Sequence, residues 1–136
     1  MRIHCSIALV FLASLTGCGN TGTVSGTVTI NGEKLKHGGA VSFHPIDKGP
    51  TAIGRIDSEG RYSLLIGDDA KLPAGEYKVT IIGYGPTAPP ANPADTPPAP
   101  PVITLLKYRS PETTPLTKTV VVGSNKFDFD VEPAEK

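Results

Sequence analysis

The chain has 136 residues, room for one small domain, and its 13 basic and 13 acidic side chains leave no formal net charge. No basic stripe offers itself to a phosphate backbone, so nucleic acid is not an expected partner. Glycine (15) and proline (14) together exceed a fifth of the residues without any repeating period, which excludes collagen and predicts many turns.

The first residues carry an address. Arg2 forms a positive n-region, Ile7 to Leu15 an apolar h-region, and Leu15-Thr16-Gly17-Cys18 a small-residue junction of the lipobox type. Residues 1–17 therefore read as a bacterial lipoprotein signal peptide, cut before Cys18. Cysteine is needed there because its thiolate accepts a diacylglyceryl group, after which the freed amine is acylated. Each buried CH₂ adds about 0.8 kcal/mol of membrane affinity, so two or three chains make a firm anchor. The h-region is far short of the roughly 20 residues that span a bilayer, which disfavours a retained transmembrane helix. Gly19, where some lipoproteins carry the aspartate that holds them in the inner membrane, points outward. The expected location is the cell envelope, at the outer membrane or the periplasmic side.

Cleavage removes Arg2 and leaves 12 basic against 13 acidic residues, a net charge near −1. Cys5 departs with the peptide and Cys18 is consumed by lipid, so the mature chain has no thiol left for a disulfide or a metal. An exported domain without disulfides must rely on its apolar core, which favours a compact sandwich over a stapled, loop-rich fold.

Residues 18–22 form a lipidated tether. Thr23 to Ile30 then alternates with period two, Val24, Gly26, Val28 and Ile30 on one face and Thr23, Ser25, Thr27 and Thr29 on the other. Asn31-Gly32 predicts a type I′ turn, since both residues accept positive φ. A second strand is expected over Ala40 to Pro45, with Val41 and Phe43 inward. Thr51 to Asp57 and Arg61 to Ile66 read as a hairpin around Ser58-Glu59-Gly60. Glu76 to Ile82 follows, with Tyr77, Val79 and Ile81 inward. The pattern closes with Leu116 to Val122 and Lys126 to Val131, an expected hairpin around Gly123-Ser124-Asn125, in which Lys118 falls on the nominally inward face. Seven short strands with no helical periodicity predict an all-β Greek-key sandwich over residues 23–132, followed by a tail at 133–136. Residues 83–101 differ in composition: eight of the nineteen are proline, so this insertion is expected to project as polyproline II or stay disordered.

The segments Gly26-Thr27-Val28, Gly32-Glu33-Lys34-Leu35, Gly39-Ala40-Val41, Asp57-Ser58-Glu59-Gly60-Arg61-Tyr62-Ser63-Leu64 and Pro73-Ala74-Gly75-Glu76-Tyr77-Lys78-Val79 carry a resemblance. Together they are similar to the carboxypeptidase regulatory-like domains of the transthyretin-like (prealbumin-like) sandwiches. The stretch from Tyr108 to Val131 further resembles small bacterial lipoproteins bearing one such domain. Three departures from the family pattern are Ile56 in place of a threonine, Lys36-His37 where proline is common, and Ala74 between Pro73 and Gly75. The resemblance implies a transthyretin-like or immunoglobulin-like sandwich. Its motifs are turn and core motifs, which specify function poorly.

Few residues suggest chemistry. Asp57-Ser58-Glu59-Gly60 lacks the oxygen set of a calcium loop and reads as hairpin chemistry. Asp68-Asp69 reads as a solvated loop. His37 and His44 are the histidines left after cleavage, without the spacing of a zinc site. No metal or cofactor is implied. Lys107-Tyr108-Arg109-Ser110 has a superficial likeness to the C-terminal Tyr-Arg-Gly-Ser of hydroxyisourate hydrolases but is internal and lacks the glycine. The expectation is a membrane-anchored, non-catalytic binding or structural module whose partner is an envelope protein or the cell wall. Two alternatives remain open: a hydrolase assembled from His37, His44, Asp57 and Arg61, and a sugar- or peptide-binding protein using Tyr84 and Tyr108 as a platform.

Overall fold

The computed structural model describes residues 19–134, and within them the chain is an all-β sandwich. Ten strands run in order: β1 (Thr21–Ile30), β2 (Glu33–Lys34), β3 (Gly39–Pro45), β4 (Ala52–Ile56), β5 (Arg61–Ser63), β6 (Leu72–Pro73), β7 (Gly75–Gly83), β8 (Thr117–Val120), β9 (Gly123–Lys126) and β10 (Phe129–Val131). A 3₁₀ turn, Leu106–Arg109, precedes β8. All seven expected strand regions contain strand, and the short β2 and β6, together with β9 where a turn was expected, bring the number to ten.

One sheet is built on β1, which pairs antiparallel with β6, β5 and β2 along one edge and parallel with β9 and β10 along the other. The second sheet has the order β4-β3-β7-β8, all antiparallel. Alternation along β1 buries Gly22, Val24, Gly26 and Val28 while Thr23 and Ser25 face water. The type I′ turn forms as expected, with φ of 52° at Asn31 and 84° at Gly32.

Between the sheets, Phe43 is fully buried, with ring centroids 5.8 Å from Tyr77, 6.1 Å from Phe127 and 6.3 Å from Phe129. Val28, Leu64 and Val79 share this core, and Phe127 is half-buried against it. The two core tyrosines bring polar tips that find partners. The Tyr62 hydroxyl donates to the Phe127 carbonyl (2.7 Å) and the Tyr77 hydroxyl to that of Pro73 (2.6 Å). Burial, with the nearby Asp128 charge adding to it, pushes the Tyr62 phenol well above its ordinary value.

The expected closing hairpin does not form. Its first arm, β8, belongs to the second sheet. The chain then crosses at Val121–Val122, and the residues expected to turn, Gly123 to Asn125, extend as β9 alongside Gly22–Ser25. Beyond them, β10 continues in the same register against Val28–Ile30. Crossing the sandwich covers the otherwise open edge of β1 and brings Phe127 and Phe129 inside, which a hairpin on β8 would not. On the outer face, Thr27 donates through both its amide and its hydroxyl to Asp128 (2.9 Å each), and the Thr29 hydroxyl donates to Asp130 (2.8 Å). Lys118 does face inward at the margin of the core, with its ammonium 5.5 Å and 5.7 Å from the Phe127 and Phe129 ring centroids.

Residues 102–116 close the free edge of β7. The Thr104 hydroxyl donates to the Ile81 carbonyl (3.3 Å) and accepts from the Gly83 amide (3.2 Å), while the Thr114 hydroxyl donates to the Val79 carbonyl (2.6 Å). Both threonines are buried, so backbone groups that lack a strand partner are still satisfied. The proline-rich segment leaves from the base of this closure: the Gly85 amide donates to the Pro101 carbonyl (2.8 Å), and residues 86–100 are exposed except for half-buried Pro90. Joining Gly85 to Pro101 by a short Asn-Gly turn in place of residues 86–100 is expected to shift the melting temperature by a few degrees at most. Closure entropy favours the shorter loop by about 0.6 kcal/mol per halving of its length. Loss of a cooperative thermal transition would show instead that the segment packs on the sandwich.

Candidate functional site

The junction Leu15, Thr16, Gly17 and Cys18 lies outside the described residues. The chain enters β1 at Thr21, three residues after Cys18.

Of the four residues of the hydrolase alternative, Asp57 and Arg61 pair with each other, and His44 stands apart from them. Asp57 closes the β4–β5 hairpin, its carboxylate accepting the amides of Glu59 (2.8 Å) and Arg61 (2.9 Å) and the Arg61 Nε (3.2 Å). These bonds, the Arg61 amide foremost, hold the carboxyl below its usual range, the signature of a turn built around an Asp side chain. His44 stands at the other end of the sheet: β3 pairs Gly39 with Ile56 and Phe43 with Ala52, which separates His44 from Asp57 by most of the strand length. His37 is exposed in the loop before β3. The tyrosine platform does not form either. Tyr108 is only 5% exposed and packs into the core from the 3₁₀ turn, leaving Tyr84 half-buried on the edge.

A polar cleft that the sequence did not flag lies on the outer face of the second sheet. Register places His44 directly opposite Lys78, and Thr80, on the same face two residues further along β7, is buried with its Oγ1 2.9 Å from His44 Nε2. The segment after the 3₁₀ turn folds over this face, so that Pro111 and Glu112 complete a cleft of about 250 Å³ with His44, Pro45, Ile46 and Lys78. Partial burial holds the His44 imidazole below its ordinary pKa, opposed by the Glu112 charge, which favours the neutral ring. The Ser110 hydroxyl donates to Glu112, which holds that carboxyl down. His44 thus has a threonine hydroxyl as its neighbour and Ser110 a carboxylate, so no serine–histidine relay is assembled. The cleft presents one cation, one anion and one imidazole, a set that can hold a small polar group. Only three-dimensional neighbours reveal it, because Lys78 and Glu112 reach His44 from separate parts of the chain.

Among the described residues, no group of three or more His, Cys, Asp or Glu side chains could hold a metal, and no helix is long and apolar enough to cross a membrane.

The ends of the sandwich differ in what they carry. Thr21 and Gly22 pair with Pro73 and Leu72, next to Gly75 at the start of β7 and its partner Val120. The proline-rich segment departs just beyond Gly83, at the other end of β7 and about 26 Å away at the rise of a strand. Chain entry and insertion therefore occupy opposite ends. No protein-family model, curated protein or solved structure matches this chain.

Proposed function

We propose that this chain is a lipid-anchored, non-catalytic binding or structural module of a bacterial cell envelope, a carboxypeptidase regulatory-like sandwich held through Cys18. The observation that carries the reading is the junction Leu15-Thr16-Gly17-Cys18 standing three residues ahead of the first strand of a folded β-domain. With so short a tether the sandwich sits close to the membrane, and the exposed prolines at its far end are the part best placed to meet an envelope protein or the cell wall. Replacing Cys18 by alanine is expected to leave an uncleaved or soluble precursor, since no other thiol stands at the junction to accept the lipid. Fractionation with mass spectrometry of the N-terminus measures this, and an unmodified Cys18 in the wild-type protein would refute the anchor.

A second reading, a lipoprotein that captures small polar ligands, has the His44–Lys78–Glu112 cleft in its favour. It requires that a Lys78→Met, Glu112→Gln variant keep the fold and lose ligand-induced shifts of the His44 ring resonances.

A further inference from the structure

We propose that the Val121–Val122 crossover seats on the surface of the membrane that holds Cys18, so that the sandwich stands on this end with residues 86–100 outermost. The inference rests on the lipid-anchor reading and adds an orientation to it.

Val121 and Val122 are 57% and 54% exposed, adjacent in the chain at the crossing between the two sheets. The turn that carries them is held by one side chain. The Asn125 side chain, itself buried, accepts the Val121 amide (3.0 Å) and donates to the carbonyls of Val121 (2.9 Å), Thr23 (3.1 Å) and Gly123 (3.3 Å). One amide thus pins the turn to β1. Gly22 sits against the same turn, so close that a Cβ there would lie 2.2 Å from the Val121 carbonyl oxygen.

Four peptide steps lead from Cys18 to Gly22, a reach of about 14 Å even when fully extended. A lipid on Cys18 therefore cannot lie far from the valine turn. Residues 19–24 and 119–125 carry no ionisable side chain, so this tip meets a headgroup layer without a buried-charge cost. Lys71, exposed next to the Leu72–Gly22 pair, adds a cation at the same end, while Asp69 and Glu76 bound the tip on its flanks. Ile46, 50% exposed, follows β3 at this end and bonds to the Glu76 carbonyl. A second copy of the chain is a poorer occupant, because two valines fall far short of the about 800 Å² per partner that a stable interface buries. A membrane already tethered to the neighbouring residue needs no such area.

The chain has no tryptophan, so a single Val122→Trp substitution gives one indole to follow. The lipidated full chain is reconstituted into phosphatidylethanolamine–phosphatidylglycerol vesicles with brominated acyl chains, alongside a Leu106→Trp protein whose indole is at the far end. The expected result is flotation of both, with emission of the Val122→Trp protein moved to shorter wavelength and quenched by brominated lipid, and neither change in the Leu106→Trp protein. Flotation without quenching at position 122, or equal quenching at both positions, overturns the docked orientation and leaves the anchor standing. A concentration-dependent spectral shift in detergent without lipid assigns the turn to a second copy and overturns the proposal. Failure to float overturns the anchor reading and this inference with it.

Discussion

Replacing Phe43 with alanine is expected to destabilise the domain by about 3–5 kcal/mol, the range for truncating a fully buried phenylalanine. The position is not interchangeable with other core sites, because the Phe43 ring touches aromatics from both sheets: Tyr77 from its own, Phe127 and Phe129 from the opposite one. Removing it opens a void bounded by three rigid rings, one on β7 and two on the C-terminal segment of the opposite sheet, which cannot all close in at once. Small domains have only about 5–15 kcal/mol of total stability, so this single change removes a large share. The melting temperature should fall by more than ~10 °C at this domain size. Phe43→Leu, which keeps most of the volume, should recover much of the loss. A Phe43→Ala protein melting within a degree or two of wild type would show that the two sheets do not meet around this ring.

What could be read from the chain was local. Alternation along Thr23 to Ile30, the Asn31-Gly32 turn and the Asp57–Gly60 hairpin all depend on residues within a few positions of one another, and each forms as expected. Partner choice did not follow from local signals. Gly123-Ser124-Asn125 has the composition of a turn, yet Asn125 is the buried clamp of a strand whose register partners lie about a hundred residues earlier, as Val28 with Phe129. Lys118 sits on the inward face although alternation treats a lysine as polar throughout. The side chain is half-buried and its ammonium lies over the Phe127 and Phe129 rings. Tyr108 misled in the opposite way, since nothing near it in the sequence marks the 3₁₀ turn that carries it inside. The polar cleft was illegible for the same reason as the strand pairing: His44, Lys78 and Glu112 share no local pattern.

Gly26→Ala is expected to be the most damaging exchange of a glycine in β1, and the reason is space, not backbone conformation. A Cβ at this position would stand 1.8 Å from the Phe127 carbonyl oxygen, where the C-terminal strand passes against β1 between β9 and β10. That oxygen cannot simply move away. It accepts the buried Tyr62 hydroxyl, and on either side of it the Phe127 amide donates to the Ser25 carbonyl (2.9 Å) and Asp128 is bound by Thr27. Overpacking of this kind costs about 1–3 kcal/mol or more. Displacing the carbonyl also strips the Tyr62 phenol of its partner, roughly another 1–3 kcal/mol for a buried group left unsatisfied. Gly32→Ala is the informative comparison: no atom lies within 4 Å of a Cβ there, but φ is 84°, so its cost is the left-handed backbone alone, about 1–2 kcal/mol. Urea unfolding should rank Gly26→Ala clearly below Gly32→Ala in stability. Hydrogen exchange at the Phe127 amide should accelerate in the former and not in the latter. In a Tyr62→Phe background the penalty of Gly26→Ala should shrink, because the hydroxyl that needed the Phe127 carbonyl is gone. Equal stability of the two alanine variants would mean that the C-terminal strand does not run parallel against β1 at this point, and the β9–β1–β10 register would have to be abandoned.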